Sequence, residues 1–253
     1  GSTSASVNQT VGQAATVTAL VTSVSPAVVG APVTFTATVS AVAPGAGTPT
    51  GIVTFRDGGA TLATAALSAG TASFTSSALS VGSHTIDAVF GASPSFLSST
   101  SSPLDQAVIP DGATVALVSS SNPSTYGGAV TFGVTVTSAT TGGVPDGSVT
   151  FADDGSPLGT VALDAAGAAQ ITTALLSTGA HTITAAYDGG TKHVATTATL
   201  TPGQQVDRSP SSTALSSAVN PAVFGQPVTF TATVTGQGAA TPTGSVAFRD
   251  GGA

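Results

Sequence analysis

The feature that most constrains this chain is an internal repeat of about 97 residues. The segment Gly30–Val39 returns as Gly127–Val136 and again as Gly225–Val234. Gly82–Ile86 returns in the same register as Gly179–Ile183. Repeated blocks in one register show that the chain is built from copies of one unit, and the length of that unit is that of a single small domain.

The repeat register predicts where the units begin and end. Residues 1–20 align without a gap on residues 98–117, and Asp250–Ala253 matches Asp57–Ala60. We therefore expect a window cut from a longer array, joined by short linkers that contain proline. The predicted parts are the terminal strand of a preceding repeat at 1–14, complete domains at 15–110 and 111–208, and the N-terminal half of a third domain at 209–253.

Within each repeat, apolar and polar residues alternate with a period of two, which is typical of half-buried strands. Val33, Phe35 and Ala37 alternate with Thr34 and Thr36, and clusters of Gly, Pro and Asp separate the runs. About seven short strands in a repeat of this length predict an all-β chain of tandem immunoglobulin-like β-sandwiches. The predicted structural core comprises Phe35, Phe55, Phe74, Ile86, Phe132, Phe151, Ile183, Tyr187 and Phe230.

The order of these blocks resembles that of the bacterial Ig-like repeat domains. The residues that carry the resemblance are Asn122-Pro123, Val130-Thr-Phe132, Pro145-Asp-Gly-Ser-Val-Thr-Phe151 and Gly179-Ala-His-Thr-Ile183. The resemblance covers both complete repeats and the partial third one. It implies a structural, adhesive or spacer role in a large secreted or cell-surface protein, with no shared catalytic site.

Composition excludes several classes of function. The net charge is −7 and only four residues are Lys or Arg, so no basic patch is available for nucleic acid. Without cysteine there is no disulfide framework, thiolate metal site or thiol nucleophile. The apolar runs are too short for membrane insertion by this segment. With charged residues at 6%, repulsion between copies is weak, which favours self-association or a coat of sugars.

Few side chains are candidates for catalysis or for binding a ligand or metal. His84 and His181 occupy equivalent places at the edge of the predicted core, where a ring nitrogen would satisfy a loop backbone group. His193 is predicted to be an exposed turn residue without a counterpart in the first repeat. Asp153 and Asp154 form an acidic pair that could hold calcium, although calcium usually takes more oxygen ligands. We expect no enzyme and no catalytic, cofactor-binding or metal-binding residues.

The outward strand faces carry hydroxyl groups. If the second and fifth strands of the sandwich pair, they form a flat, uncharged hydroxyl face, which consists of Thr34, Thr36, Thr38, Ser73, Thr75 and Ser77. Three interpretations remain: an ordinary solvated strand surface, a face that packs against another subunit or carries O-linked sugar, and recognition of ice or surface glycans. Gly133 and Gln170 interrupt the pattern in the second repeat, which disfavours ice binding.

These observations predict a structural or mechanical segment of an extracellular bacterial tandem Ig-like protein: a filament, stalk or surface-layer element. Assembly would proceed by β-sheet packing between neighbouring repeats or copies, with strand donation between chains as one route. The alternative is an adhesin module that binds glycans or a surface. The presence of only two tyrosines and no tryptophan disfavours the alternative.

Overall fold

The structure is a computed structural model that describes residues 1–140, 142–237 and 241–251. The described residues form strands and no helix, and accordingly none of them belongs to a helix able to cross a membrane. They divide into two compact units. The first unit is Gly1–Gly112 with the segments Ser138–Gly143 and Thr191–Val194, and the second unit is the remainder.

The first repeat is a sandwich of two sheets. The strands are β1 (Thr16–Thr22), β2 (Ala27–Val28), β3 (Val33–Ala41), β4 (Ile52–Asp57), β5 (Ala60–Ala66), β6 (Thr71–Ser76), β7 (Gly82–Phe90), β8 (Ser99–Thr100) and β9 (Leu104–Ile109). One sheet has the order β1-β3-β6, and the other has the order β2-β9-β7-β4-β5, with β8 beside β7. The pairing is antiparallel except between β2 and β9, which run parallel.

The second repeat follows the same plan. Its strands are β10 (Ala113–Ser119), β11 (Ser124–Thr125), β12 (Val130–Ser138), β13 (Ser148–Asp153), β14 (Ser156–Ala162), β15 (Ala168–Thr173), β16 (Gly179–His181), β17 (Ile183–Tyr187), β18 (Thr196–Thr199) and β19 (Gln204–Asp207). The strand equivalent to β7 is interrupted at Thr182, which separates β16 from β17. The strands therefore form three sheets, with the orders β10-β12-β15, β14-β13-β17-β18 and β11-β19-β16.

Each repeat closes its own apolar core between its sheets. The alternation in β3 and β12 buries every second residue, and the strands of the opposite sheet contribute another buried row. Burying a large apolar side chain contributes roughly 1.5–3 kcal/mol, so each core can stabilise its own domain. Of the predicted core residues, those that the structure buries are Phe35, Phe55, Ile86, Phe132, Phe151, Ile183 and Tyr187.

Two predicted core residues differ from this group. Phe74 is half-buried and packs its ring 6.0 Å from that of Phe55. Phe230 is 56% exposed, so its prediction as a core residue does not hold in this structure. Phe230 lies in a two-stranded sheet of β20 (Ser211–Ser217) and β21 (Phe230–Gly236), and no second sheet of the described residues covers it. Residues 244–248 form no strand, and Gly252 and Ala253 lie outside the described residues.

The predicted strand within residues 1–14 is also not formed. Residues 1–13 have no strand, and Ala14 makes only an isolated bridge with Phe96. A strand needs a neighbouring strand to satisfy its backbone groups, and none of the described strands lies beside this segment.

A buried glutamine marks the place where the first strand of each repeat crosses between sheets. Gln106 accepts a hydrogen bond from the Thr22 hydroxyl (2.7 Å) and donates to the Ala107 carbonyl. Gln204 accepts one from the Ser119 hydroxyl (2.6 Å) and donates to the Ser121 carbonyl. Both amides are fully buried and each of their polar atoms has a hydrogen-bond partner, so each one fixes a crossing strand without leaving an unsatisfied polar atom.

Candidate functional site

The predicted hydroxyl face is present on the sheet of β1, β3 and β6. Thr34 lies opposite Thr75 and Thr36 lies opposite Ser73. Because the strands are antiparallel, this register places Thr71 opposite Thr38, and Ser77 lies beyond the end of β6. The predicted set is therefore corrected at one position, with Thr71 in the place expected for Ser77.

The hydroxyls of this face bond to one another across the strands. The Oγ1 atoms of Thr34 and Thr75 lie 2.8 Å apart, and those of Thr131 and Thr172 in the second repeat also lie 2.8 Å apart. Cross-strand threonine pairs of this kind stabilise a sheet. Some hydroxyls of the face are therefore already hydrogen-bonded to one another. In the second repeat Gly133, opposite Gln170, interrupts the row of hydroxyls.

An apolar edge borders the hydroxyl face, and sequence reasoning missed it. Val21 lies opposite Thr36 and Ala19 lies opposite Thr38, so both belong to the outer surface of the sheet. Val21 is 60% exposed and Val17 is also exposed. The alternation in β1 could have predicted this edge, because Val17, Ala19 and Val21 share one parity while Thr18 and Leu20 share the other.

A histidine–aspartate pair recurs in both repeats, on strands outside the sheet that carries the hydroxyl face. Nδ1 of His84 lies 2.7 Å from Asp57 Oδ2, and its Nε2 lies 2.9 Å from the Ser80 carbonyl oxygen. Nδ1 of His181 lies 2.9 Å from Asp153 Oδ1, and its Nε2 lies 2.8 Å from the Ser177 carbonyl oxygen. In each pair the loop carbonyl accepts a hydrogen bond from Nε2 and orients the ring, as expected for a histidine at the edge of a core.

The environment raises the pKa of both histidines. The hydrogen bond to the Ser80 carbonyl, aided by Asp57, raises the pKa of His84 against the opposing effect of burial. Burial lowers the pKa of His181, but the Ser177 carbonyl and the two neighbouring carboxylates outweigh it and the pKa is raised. When the ring is protonated, it forms an ion pair with its aspartate in both repeats.

The second repeat adds a carboxylate to this pair. Oδ2 of Asp154 lies 3.8 Å from Nδ1 of His181, and its Oδ1 accepts a hydrogen bond from the Thr182 backbone NH (2.9 Å). The equivalent position in the first repeat is Gly58. Asp153, Asp154 and His181 therefore bring three potential ligand atoms within 4.8 Å of one another.

A second polar cluster lies at the start of the second repeat, where Asp111 is buried. Its carboxylate accepts hydrogen bonds from the Ser138 hydroxyl, from the Thr140 backbone NH and hydroxyl, and from the Gly142 backbone NH. Burial acts to raise the pKa of Asp111, but these hydrogen bonds outweigh it and hold the pKa well below its usual range. The backbone NH of Asp111 also donates to the Lys192 carbonyl (2.8 Å).

His193 packs in this cluster and is not the exposed turn residue that was predicted. It is 4% exposed, and neither of its ring nitrogens has a hydrogen-bond partner among the described residues. Its backbone bridges to Asp111, as that of Phe96 bridges to Ala14 in the first repeat. His193 therefore does have a counterpart, Phe96, and the sequence concealed it because the equivalent residues differ in chemical type.

Comparison with known families identifies the repeats. The family described as bacterial Ig-like domain (group 3) matches residues 20–109 and 117–206. Both matches lie inside the predicted domains 15–110 and 111–208. No curated protein matches the chain.

Solved structures with a similar arrangement have low identity. Fibronectin(III)-like modules of Clostridium thermocellum CbhA are 18% identical, with a TM-score of 0.32 over 75% of this chain and 94% of that chain. The Yersinia pseudotuberculosis adhesin InvE is 19% identical, with a TM-score of 0.37 over 72% of this chain and 58% of that chain. The D0-D1 domain of intimin is 18% identical, with a TM-score of 0.30 over 74% of this chain and 97% of that chain.

The family assignment depends on the sequence match. The two matched segments cover more than half of the chain, and each lies within one of the two complete repeats. The chain belongs to the bacterial Ig-like domain (group 3) family, of which it carries two tandem copies.

Proposed function

We propose that this chain is a structural segment of an extracellular bacterial protein, in which tandem Ig-like domains act as a stalk, filament or surface-layer element. The observation that carries the proposal is that each complete repeat encloses its own core between its own sheets. A domain that is stable by itself can be strung in series, and the number of domains then sets the length of the array.

The connection between the two complete repeats supports a spacer role. β9 ends at Ile109 and β10 begins at Ala113, so only residues 110–112 join them. The backbone NH of Asp111, in this connection, donates a hydrogen bond to the Lys192 carbonyl. The Asp111 carbonyl in turn accepts a hydrogen bond from the Val194 backbone NH. A connection of three residues leaves little free linker between the repeats, which suits a spacer better than a long flexible linker would.

The alternative, a module that binds glycans or another surface, has weaker support. The hydroxyl face would be its binding surface, but hydroxyls on that face are already paired with one another. A glycan array separates the alternatives. Binding that is lost on Thr36→Val with Ser73→Val would favour the adhesin module, whereas an array without binding would favour the spacer.

Single-molecule stretching of the full chain tests the proposal directly. Two independent sandwiches should give two unfolding events, each releasing about 30 nm of chain, because an extended residue spans about 3.4 Å. Phe132→Ala removes core contacts from the second repeat only, so it should lower the force of one event and leave the other unchanged. A single event, or two events that both weaken in the variant, would contradict independent folding.

Strand donation between chains remains a prediction. The sheet of β20 and β21 exposes Leu215 and Phe230, and apolar strands that lack an opposing sheet are prone to pair with another chain. Sedimentation velocity over a range of concentrations tests it. Association that disappears in Phe230→Thr would support donation at this sheet, and a monomer at all concentrations would contradict it.

A further inference from the structure

The second repeat contains a group of ligand atoms that the first repeat lacks. His181 is buried, and its Nδ1 faces both oxygens of Asp153, at 2.9 and 3.0 Å. Oδ2 of Asp154 approaches the same nitrogen at 3.8 Å. In the first repeat the histidine and the first aspartate are present as His84 and Asp57, but Gly58 supplies no second carboxylate.

The orientation of the His181 ring, which His84 shares, is compatible with metal binding. Metal-binding histidines usually donate their other ring NH to a carboxylate or a backbone carbonyl, which fixes the tautomer and aims the free nitrogen at the metal. Nε2 of His181 makes this contact with the Ser177 carbonyl at 2.8 Å. This hydrogen bond lies outside the group of ligand atoms, and it leaves Nδ1 as the coordinating atom.

The spacing of the atoms suits a small tetrahedral ion. With metal–nitrogen and metal–oxygen bonds of about 2.0–2.2 Å, neighbouring ligand atoms in a tetrahedron lie roughly 3.3–3.6 Å apart. The observed separations of 2.9 Å and 3.8 Å from Nδ1 fall on either side of this range. The side chain of Asp154 is 58% exposed, so an ion can enter from solvent and keep a water as its fourth ligand.

Ligand chemistry selects the kind of ion. An imidazole nitrogen with two carboxylates favours zinc and related transition metals, whereas calcium and magnesium prefer oxygen ligands alone. We propose that the second repeat binds one divalent transition metal of the zinc type through Nδ1 of His181 and the carboxylates of Asp153 and Asp154. When the metal binds, the proton between Nδ1 and Asp153 passes to solvent.

The backbone indicates a matched pair of substitutions. Asp154 has φ of +47° in a turn where the first repeat has Gly58 at +54°. Aspartate tolerates this left-handed conformation better than most residues do, and a Cβ at Gly58 would meet no atom within 4 Å. Asp154→Gly therefore gives the second repeat the residue found in the first, and Gly58→Asp gives the first repeat the residue found in the second.

Isothermal titration of the full-length chain with zinc chloride is the test. The wild type should bind one zinc ion per chain, and magnesium or calcium should not displace it. Asp154→Gly should weaken zinc binding by roughly tenfold or more, and Gly58→Asp should raise the stoichiometry to two. Far-UV circular dichroism checks that both variants remain folded.

The remaining outcomes would overturn the proposal. No zinc binding by the wild type would exclude the site. Unchanged zinc affinity in Asp154→Gly would show that the Asp154 carboxylate is not a ligand. Two ions bound by the wild type would show that zinc binding does not require this second carboxylate. His193→Phe serves as a control, because removing this histidine should leave zinc binding unaltered.

Discussion

At the level of single residues, the two repeats fill one equivalent buried position with side chains of different chemistry. Phe96 packs beside Ala14 in the first repeat, and His193 packs beside Asp111 in the second. A Cβ added to Gly45 would lie 2.7 Å from Cβ of Ala14, and a Cβ added to Gly142 would lie 2.7 Å from Nε2 of His193. The two loops therefore cover the two pairs equally closely. The cost in the second repeat is a buried imidazole with no hydrogen-bond partner among the described residues.

This comparison predicts that His193→Phe stabilises the second repeat. Removing an unsatisfied buried polar group should add about 1–2 kcal/mol to its free energy of unfolding. Urea denaturation of the full chain measures the change in the transition of the second repeat. The reverse substitution in the first repeat, Phe96→His, should destabilise that repeat. A loss of stability in His193→Phe would show that the ring has an unseen partner.

Asp111 predicts acid sensitivity of the second repeat. Its pKa in the folded state lies well below the unfolded value of about 3.9, so its ionised form favours the folded state. This contribution is fully present above about pH 4 and is lost as the pH falls through the folded pKa. The urea midpoint of the second repeat should therefore decline from about pH 4 downward. In Asp111→Asn the decline should be shallower, and an equal slope in the variant would exclude Asp111 as a cause.

At the scale of elements, similar sequences take different environments. Residues 130–136 of β12 read Val-Thr-Phe-Gly-Val-Thr-Val, and the equivalent residues 228–234 read Val-Thr-Phe-Thr-Ala-Thr-Val. Phe132 is nevertheless fully buried, whereas Phe230 is largely exposed. A strand buries a face only when an opposing sheet covers it, and the described part of the third repeat has no such sheet. Burial is thus a property of the pair of sheets and not of one strand.

The contrast gives a paired prediction for the two phenylalanines. Phe132→Ala should destabilise the second repeat by ~3–5 kcal/mol, because it empties a filled part of the core. Phe230→Ala should change the free energy of unfolding by less than about 0.5 kcal/mol, as expected for an exposed site. Chemical denaturation measures both changes. Comparable losses in the two variants would mean that Phe230 has a partner in solution.

The same contrast shows how far the sequence could predict this structure. Period-two alternation and the turn residues identified the inward faces of strands such as β3 and β12, because these depend on local pattern. The Asp111 cluster and the burial of His193 were not predictable, since they depend on which loops meet over the first strand of the repeat. The third ligand atom of the proposed zinc site was visible in the sequence as Asp154, but its approach to His181 required the register of neighbouring strands.

At the scale of the whole molecule, low charge governs how copies meet. The chain carries a net charge of −7 at pH 7, and its isoelectric point is about 4.3. Repulsion between copies is weak at neutral pH and vanishes near the isoelectric point, where exposed apolar surfaces such as Val17 and Val21 can associate. Association should therefore rise steeply as the pH approaches about 4.3.

Light scattering as a function of pH measures this association, and charge variants identify its cause. Adding two carboxylates on the exposed outer face, with Thr38→Asp and Ser73→Asp, should move the pH of maximal association downward, because the isoelectric point falls. The neutral pair Thr38→Asn and Ser73→Asn changes the same positions without adding charge and should leave that pH in place. If both pairs abolish association alike, the hydroxyl face itself is the contact surface and net charge is secondary. If neither pair moves the pH of maximal association, the copies meet through a part of the molecule whose attraction does not depend on net charge.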